Sequence, residues 1–172
     1  MKHIGLIICV LQYIIAAPMH KWFETRLDHT TYGGEDPTTF KIRYLVDTQY
    51  YRNESSGKDR PIFFYAGNEG SITGFYDNTG FVTTTLAEQY GALVVYGEHR
   101  YFGESFPFDK SEAFNEGNNT YLTVENTMMD YVELIKFVRT EYNASDKAVI
   151  VFGGSYGGML AGWLRMKFPA TF

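Results

Sequence analysis

Hydrophobic positions along the chain follow two rhythms that take turns. In Trp22 to Leu27, Trp22, Glu24 and Arg26 alternate against Phe23, Thr25 and Leu27, which predicts a first strand. Phe40 to Val46 alternates with period two and predicts a half-buried strand. Ile62-Phe63-Phe64-Tyr65, introduced by Pro61, is instead a continuous apolar run, the form of a strand covered on both faces of a parallel sheet. Ala92 to Tyr96 and Ala148 to Phe152 predict two further strands. Between these runs the period lengthens. Phe81 to Tyr90 predicts a short helix closed by Gly91. Val124, Met128, Tyr131, Val132, Ile135, Val138 and Tyr142 keep helical spacing, with Thr123 as N-cap and Glu125 in the first turn. A last helix runs from about Gly157 to Lys167, ended by Pro169. The turn cluster Tyr32 to Pro37, the polar connection Gly57 to Arg60 and the irregular residues 103–120 separate elements. Strands alternating with helices in this order build a mostly parallel sheet with helices on both faces, an α/β fold. No repeat, low-complexity tract or interdomain linker interrupts it.

One junction carries chemistry. Val149-Ile150-Val151-Phe152 runs into Gly153-Gly154-Ser155-Tyr156-Gly157, and a helical pattern follows at once. Gly-x-Ser-x-Gly between a buried strand and a helix is the sequence form of a nucleophile elbow, where a strained turn presents a serine. Gly153 and Gly157 leave room for strand and helix to approach. Ser155 is the candidate nucleophile. The oxyanion hole needs backbone N–H donors aimed at the developing negative charge. One should come from Tyr156. The second should come from the loop Gly67 to Gly70, through Asn68 or Glu69, at the exit of the third strand where α/β proteins place ligands.

A serine hydroxyl needs a base, and elbow enzymes order their residues Ser, then Asp or Glu, then His. After Ser155 the ionic residues are Arg165 and Lys167, and all four histidines (His3, His20, His29 and His99) lie upstream. His99 leaves a buried strand on the side where the elbow should lie. It reads either as a base or, with Glu98 and Arg100, as part of a buried polar network that supports the site. His29 beside Asp28 reads as an exposed residue at a strand end. No pair of histidines has metal-ligand spacing, so neither metal nor cofactor is expected.

Composition narrows the setting. The chain has 172 residues, 45% of them apolar and 20% charged, and a net charge of −5, so it carries no basic footprint for nucleic acid. Residues 1–17 differ from the rest: Lys2 and His3 precede the apolar run Ile4 to Ile15, then Ala16-Ala17. This predicts a cleaved secretory signal, with a retained anchor as the alternative and no stable membrane insertion after cleavage. The single cysteine, Cys9, lies inside that segment. Asn53, Asn118 and Asn143 each head an N-x-S/T acceptor for a glycan, in keeping with a secreted or lysosomal route.

Three blocks carry a resemblance. They are Ala66-Gly67-Asn68-Glu69-Gly70, Glu98-His99-Arg100-Tyr101-Phe102-Gly103-Glu104-Ser105 and Gly153-Gly154-Ser155-Tyr156-Gly157-Gly158-Met159-Leu160-Ala161, followed by Arg165 to Pro169. In this order they resemble the lysosomal Pro-X carboxypeptidase and dipeptidyl peptidase II family of serine peptidases over residues 22–169. The resemblance implies an α/β-hydrolase fold with a helical cap inserted after this part, residues 18–172 being the N-terminal part of the catalytic domain. It implies a serine exopeptidase, a proline-directed carboxypeptidase or a dipeptidyl peptidase, that cuts next to a penultimate proline or similar small residue through an acyl-enzyme, with Ser155 as nucleophile. It places the family's Asp and His in a C-terminal portion, so these 172 residues alone are expected to be inactive. A homodimer is compatible with the full-length protein. Two other readings stay open: a non-catalytic secreted protein that keeps the scaffold for binding, and an esterase or lipase.

Overall fold

The computed structural model describes residues 17–31, 38–51 and 60–172. Residues 1–16 of the predicted signal segment, with Cys9, the turn cluster at 32–37, the candidate acceptor Asn53 and most of the connection at 57–60 lie outside the described residues. Five strands form one sheet: β1 (Met19–Arg26), β2 (Thr39–Asp47), β3 (Ile62–Ala66), β4 (Leu93–Gly97) and β5 (Val149–Phe152), in the order β1-β2-β4-β3-β5. β3 pairs in parallel with β4 and with β5, while β2 pairs antiparallel with β1 and with β4. Four strands therefore share one direction and β2 opposes them. The first strand begins at Met19, three residues ahead of the predicted Trp22, because Met19 to Lys21 continue the ladder opposite Val46 to Tyr44.

Every residue of β3 and β4 is buried, as their unbroken apolar runs require. Side-chain alternation sends Ile62 and Phe64 to one face of the sheet and Phe63 and Tyr65 to the other. The first face is covered by α3 (Val124–Glu141) and α4 (Tyr156–Lys167), through Tyr131, Ile135, Val138, Leu160 and Leu164. The Tyr131 ring meets Phe64 edge-on at 5.2 Å. Thr123 caps α3 by accepting a hydrogen bond from the Asn126 N–H at 3.1 Å.

The second face is covered by α1 (Ile72–Asp77) and by residues 81–90. Residues 72–77, to which the hydrophobic pattern assigns no element, form a helix seated on buried Ile72. The helix predicted over 81–90 is real but compound: Phe81–Leu86 is π-helical and only Ala87–Tyr90, here α2, is α-helical. Val82, Thr83, Thr84 and Thr85 are β-branched in succession, and the Thr84 hydroxyl donates back to the Gly80 carbonyl at 2.6 Å. Both effects work against regular α-helical bonding. Gly91 closes the segment in the left-handed region at φ 62°.

Candidate active site

Ser155 sits at the N-terminus of α4 with φ 53° and ψ −128°, exposed to solvent. Such backbone angles in a residue with a Cβ cost on the order of 1–3 kcal/mol and persist only where the surroundings enforce them. The enforcement is close packing. A Cβ on Gly153 would lie 2.1 Å from the Gly157 carbonyl oxygen, and a Cβ on Gly157 would lie 2.6 Å from the Ala66 carbonyl oxygen. Both glycines are therefore fixed by approach of backbone to backbone: the end of β5 against the first turn of α4, and that turn against the end of β3. The N-terminus of a twelve-residue helix adds a favourable partial charge beside Ser155.

The predicted oxyanion loop faces this turn. Gly67 is tied at both ends of its peptide, its N–H donating to Gly97 at 3.0 Å and its carbonyl accepting from the Tyr131 hydroxyl at 2.8 Å. The far end is held by the Ile72 N–H, which donates to Glu98 Oε1 at 3.0 Å. Between these anchors the N–H groups of Asn68 and Glu69 donate to no other described residue, and neither does the N–H of Tyr156. A Cβ on Gly157 would stand 3.4 Å from Cβ of Asn68, so loop and elbow are in contact. Asn68 is buried, and its Oδ1 has no hydrogen-bond partner among the described residues. Of the residues predicted to supply donors, Tyr156 follows the serine and Asn68 lies against the elbow at Gly157, with Glu69 next to it in the loop.

Glu98, His99 and Arg100, all buried, divide the work of holding these parts. Glu98 accepts from Arg43 (Nη2 at 2.6 Å, Nε at 3.2 Å), from the Ile72 and Glu104 N–H groups and from the Ser105 hydroxyl at 2.7 Å. Arg100 donates through every N–H it has. Nε and Nη2 grip Asp130 at 2.7 and 2.8 Å, and the other three reach the carbonyls of Leu27, Tyr121 and Arg26. His99 Nδ1 lies 2.6 Å from the Arg100 carbonyl. A carbonyl only accepts, so Nδ1 carries the hydrogen and Nε2 keeps its lone pair. The Tyr156 hydroxyl donates to that Nε2 at 3.3 Å. Burial pushes the His99 imidazole down to about 4, outweighing the opposing effect of the Arg100 carbonyl, so the ring is neutral near pH 7. Its accepting nitrogen is thus engaged by Tyr156, while the Ser155 hydroxyl makes no hydrogen bond among the described residues.

His29 corrects the sequence reading. Its side chain is 4% exposed rather than open to solvent, and Nε2 lies 2.9 Å from Asp130. Arg43, Ser105, Asp130 and Tyr131 were missed as supporting residues. The signal for Asp130 was an acid within the helical stretch 126–132 that packs on the sheet; Arg43 and Ser105 had none. Of the candidate glycan acceptors, Asn143 is exposed, whereas the Asn118 amide donates to the Glu112 carbonyl at 3.1 Å. No cluster able to hold a metal ion and no helix long and apolar enough to cross a membrane occurs among the described residues. A groove of about 650 Å³ lies along β5 and α4 and includes neither Ser155 nor the 67–70 loop.

A sheet of order β1-β2-β4-β3-β5 with helices on both faces and a serine on the turn after β5 is the α/β-hydrolase fold. Solved structures agree at the level of fold: an S-formylglutathione hydrolase from Agrobacterium tumefaciens superposes with a TM-score of 0.54 at 17% identity, covering 90% of this chain and 55% of that one. A dienelactone hydrolase from Anabaena variabilis gives 0.51 at 15%, covering 90% and 60%. Within that class the chain belongs to the serine carboxypeptidase S28 family, which it matches over residues 25–172. It is 45% identical over 150 residues to lysosomal Pro-X carboxypeptidase of Mus musculus and 43% identical over 149 to that of Homo sapiens, covering 86% of this chain in each case. The thymus-specific serine protease of Homo sapiens is 35% identical over 155 residues, 90% of this chain. The matched part spans 29%, 29% and 28% of those relatives.

Proposed function

We propose that this chain supplies the nucleophile and the oxyanion donors of a serine exopeptidase that cleaves peptides beside proline, in the secretory or lysosomal compartment. The observation that carries the reading is Ser155 at φ 53° at the head of α4, in a chain of the S28 family. The Ser155 oxygen attacks the scissile carbonyl carbon, the carbonyl oxygen becomes negative, and the leaving amine departs to give an acyl-enzyme that water then hydrolyses. The N–H of Tyr156 and an N–H of Asn68 or Glu69 receive the oxyanion. Tight fixation of both donors before substrate arrives is what makes such a hole effective, since no reorganisation is left for the reaction itself. The names of the lysosomal Pro-X carboxypeptidase relatives support proline-directed cleavage and the compartment. A general base must take the Ser155 proton and pass it to the leaving amine, and no described residue hydrogen-bonds to the Ser155 hydroxyl, so the isolated polypeptide 18–172 is expected to be inactive. A fluorophosphonate probe applied to the protein from its native source and to its Ser155→Ala form tests the reading. Labelling is expected of the first and not of the second; equal labelling of both removes Ser155 from the role. Failure of a correctly folded native protein to label at all favours a scaffold kept for binding.

A further inference from the structure

The three residues at the exit of β4 each hold a different part of the site. The Gly97 carbonyl receives the Gly67 N–H, Glu98 receives the Ile72 N–H, and His99 receives the Tyr156 hydroxyl. The first two contacts bracket the oxyanion loop. The third reaches across to the elbow itself. Tyr156 follows the strained Ser155, so the Ser155–Tyr156 peptide plane is set by ψ of Ser155 and φ of Tyr156. That plane aims the Tyr156 N–H. We infer that His99 is a positioning residue for the oxyanion donor, acting through the Tyr156 phenol, which braces this peptide from its side-chain end.

Four observations converge. The His99 ring is 1% exposed and its Nδ1–H is committed to the Arg100 carbonyl at 2.6 Å, so Nε2 is presented as a fixed acceptor. Arg100 is itself immobilised by five hydrogen bonds to Asp130 and to backbone carbonyls, which anchors the carbonyl that orients His99. The His99 and Tyr156 rings also pack at 5.5 Å between centroids, and the Phe102 ring meets His99 edge-on at 5.3 Å. Finally, among the described residues the Tyr156 hydroxyl bonds to no polar group but His99 Nε2. The chain of positioning runs from α3 through Asp130, Arg100, His99 and Tyr156 to the peptide that follows Ser155.

The inference rests on Ser155 as nucleophile, and the experiment separates the two. In the native protein, Tyr156→Phe removes one hydroxyl and keeps the ring and backbone. A loss of about tenfold in kcat on a proline-containing peptide is expected, below the 10²–10³ lost when an oxyanion donor is deleted outright. KM should stay within about twofold, and the rate of fluorophosphonate labelling should fall in parallel with kcat, because the probe's oxygen uses the same donors. His99→Leu should lose as much, the double variant no more than either single, and His99→Gln, which restores an acceptor, should recover part of the loss. An unchanged kcat in Tyr156→Phe, additive losses in the double variant, or a loss carried in KM would overturn the inference. If His99→Leu does not fold, Tyr156→Phe and His99→Gln decide it. Absence of labelling in the unmodified protein would instead be a failure of the Ser155 reading.

Discussion

At the scale of single residues, the site depends on groups kept in unfavourable states. Ser155 holds a backbone conformation that L-residues avoid, and His99 is held neutral in a buried setting. The second state has a consequence for pH. The His99 pKa falls from its ordinary 6.5 to about 4 on folding, chiefly because burial penalises the charged ring. Between these values the unfolded chain binds a proton that the folded chain refuses, so stability is complete above pH 6.5 and declines as pH falls toward 4. Refusing that proton corresponds to about 3 kcal/mol of stability lost across that window. His99→Gln carries no titrating ring. Denaturant unfolding at pH 7 and at pH 4 should therefore show the stability gap between the parent and this variant changing by about 3 kcal/mol, in favour of the variant at acid pH. A pH-independent gap would mean that His99 is not held neutral.

At the scale of elements, the sequence revealed what is local and hid what is assembled. The elbow was legible because strand, glycine spacing, serine and helix are contiguous from Val149 to Lys167, and β3 and β4 were legible because burial on both faces leaves no polar positions. Helix α1 was not, since what starts it is not its own sequence: the Ile72 N–H is received by Glu98, 26 residues onward. His29 looked exposed because its partner Asp130 is 101 residues away. Asp130 is the joint between three elements. It takes Arg100 from the β4 exit, and Thr25 and His29 from β1 and the turn after it, onto α3. Removing one member of a buried charge pair leaves the other uncompensated, which costs about 3–5 kcal/mol. Asp130→Ala should lower stability by that amount in thermal or denaturant unfolding. Arg100→Lys should also be destabilising, because one ammonium cannot replace a fork bonded through five N–H groups. A loss below about 1 kcal/mol in Asp130→Ala would show that the network contributes no net stability.

At the scale of the whole molecule, the two edge strands of the sheet, β1 and β5, differ in what they present. β1 and β2 finish one flank, with the charged residues Lys21, Glu24 and Arg26 along β1. On the other flank β5 pairs with β3, and no described strand pairs with its outer edge. Residues 169–172 do not fill that place. Thr171 and Phe172 turn back to donate to the Phe168 carbonyl, and Arg165 holds the Pro169 and Phe172 carbonyls from α4. What remains is the groove of about 650 Å³ bordered by Val149, Ile150, Val151, Arg165 and Phe172. Ile150 is 46% exposed at mid-strand, and Met159 and Met166 project from α4 at 52% and 70%. An unpaired strand edge flanked by apolar side chains is a template for pairing with another chain. The polypeptide 18–172, made alone, should therefore self-associate with rising concentration in sedimentation velocity. Ile150→Lys places a charge that can stay hydrated on the same strand without touching the buried face, and it should shift the polypeptide toward monomer. The parent remaining monomeric at concentrations near 100 μM would mean that the β5 edge is protected within these residues. Equal association of parent and Ile150→Lys would move the contact away from β5, with Met159 and Met166 on α4 the next surface to substitute.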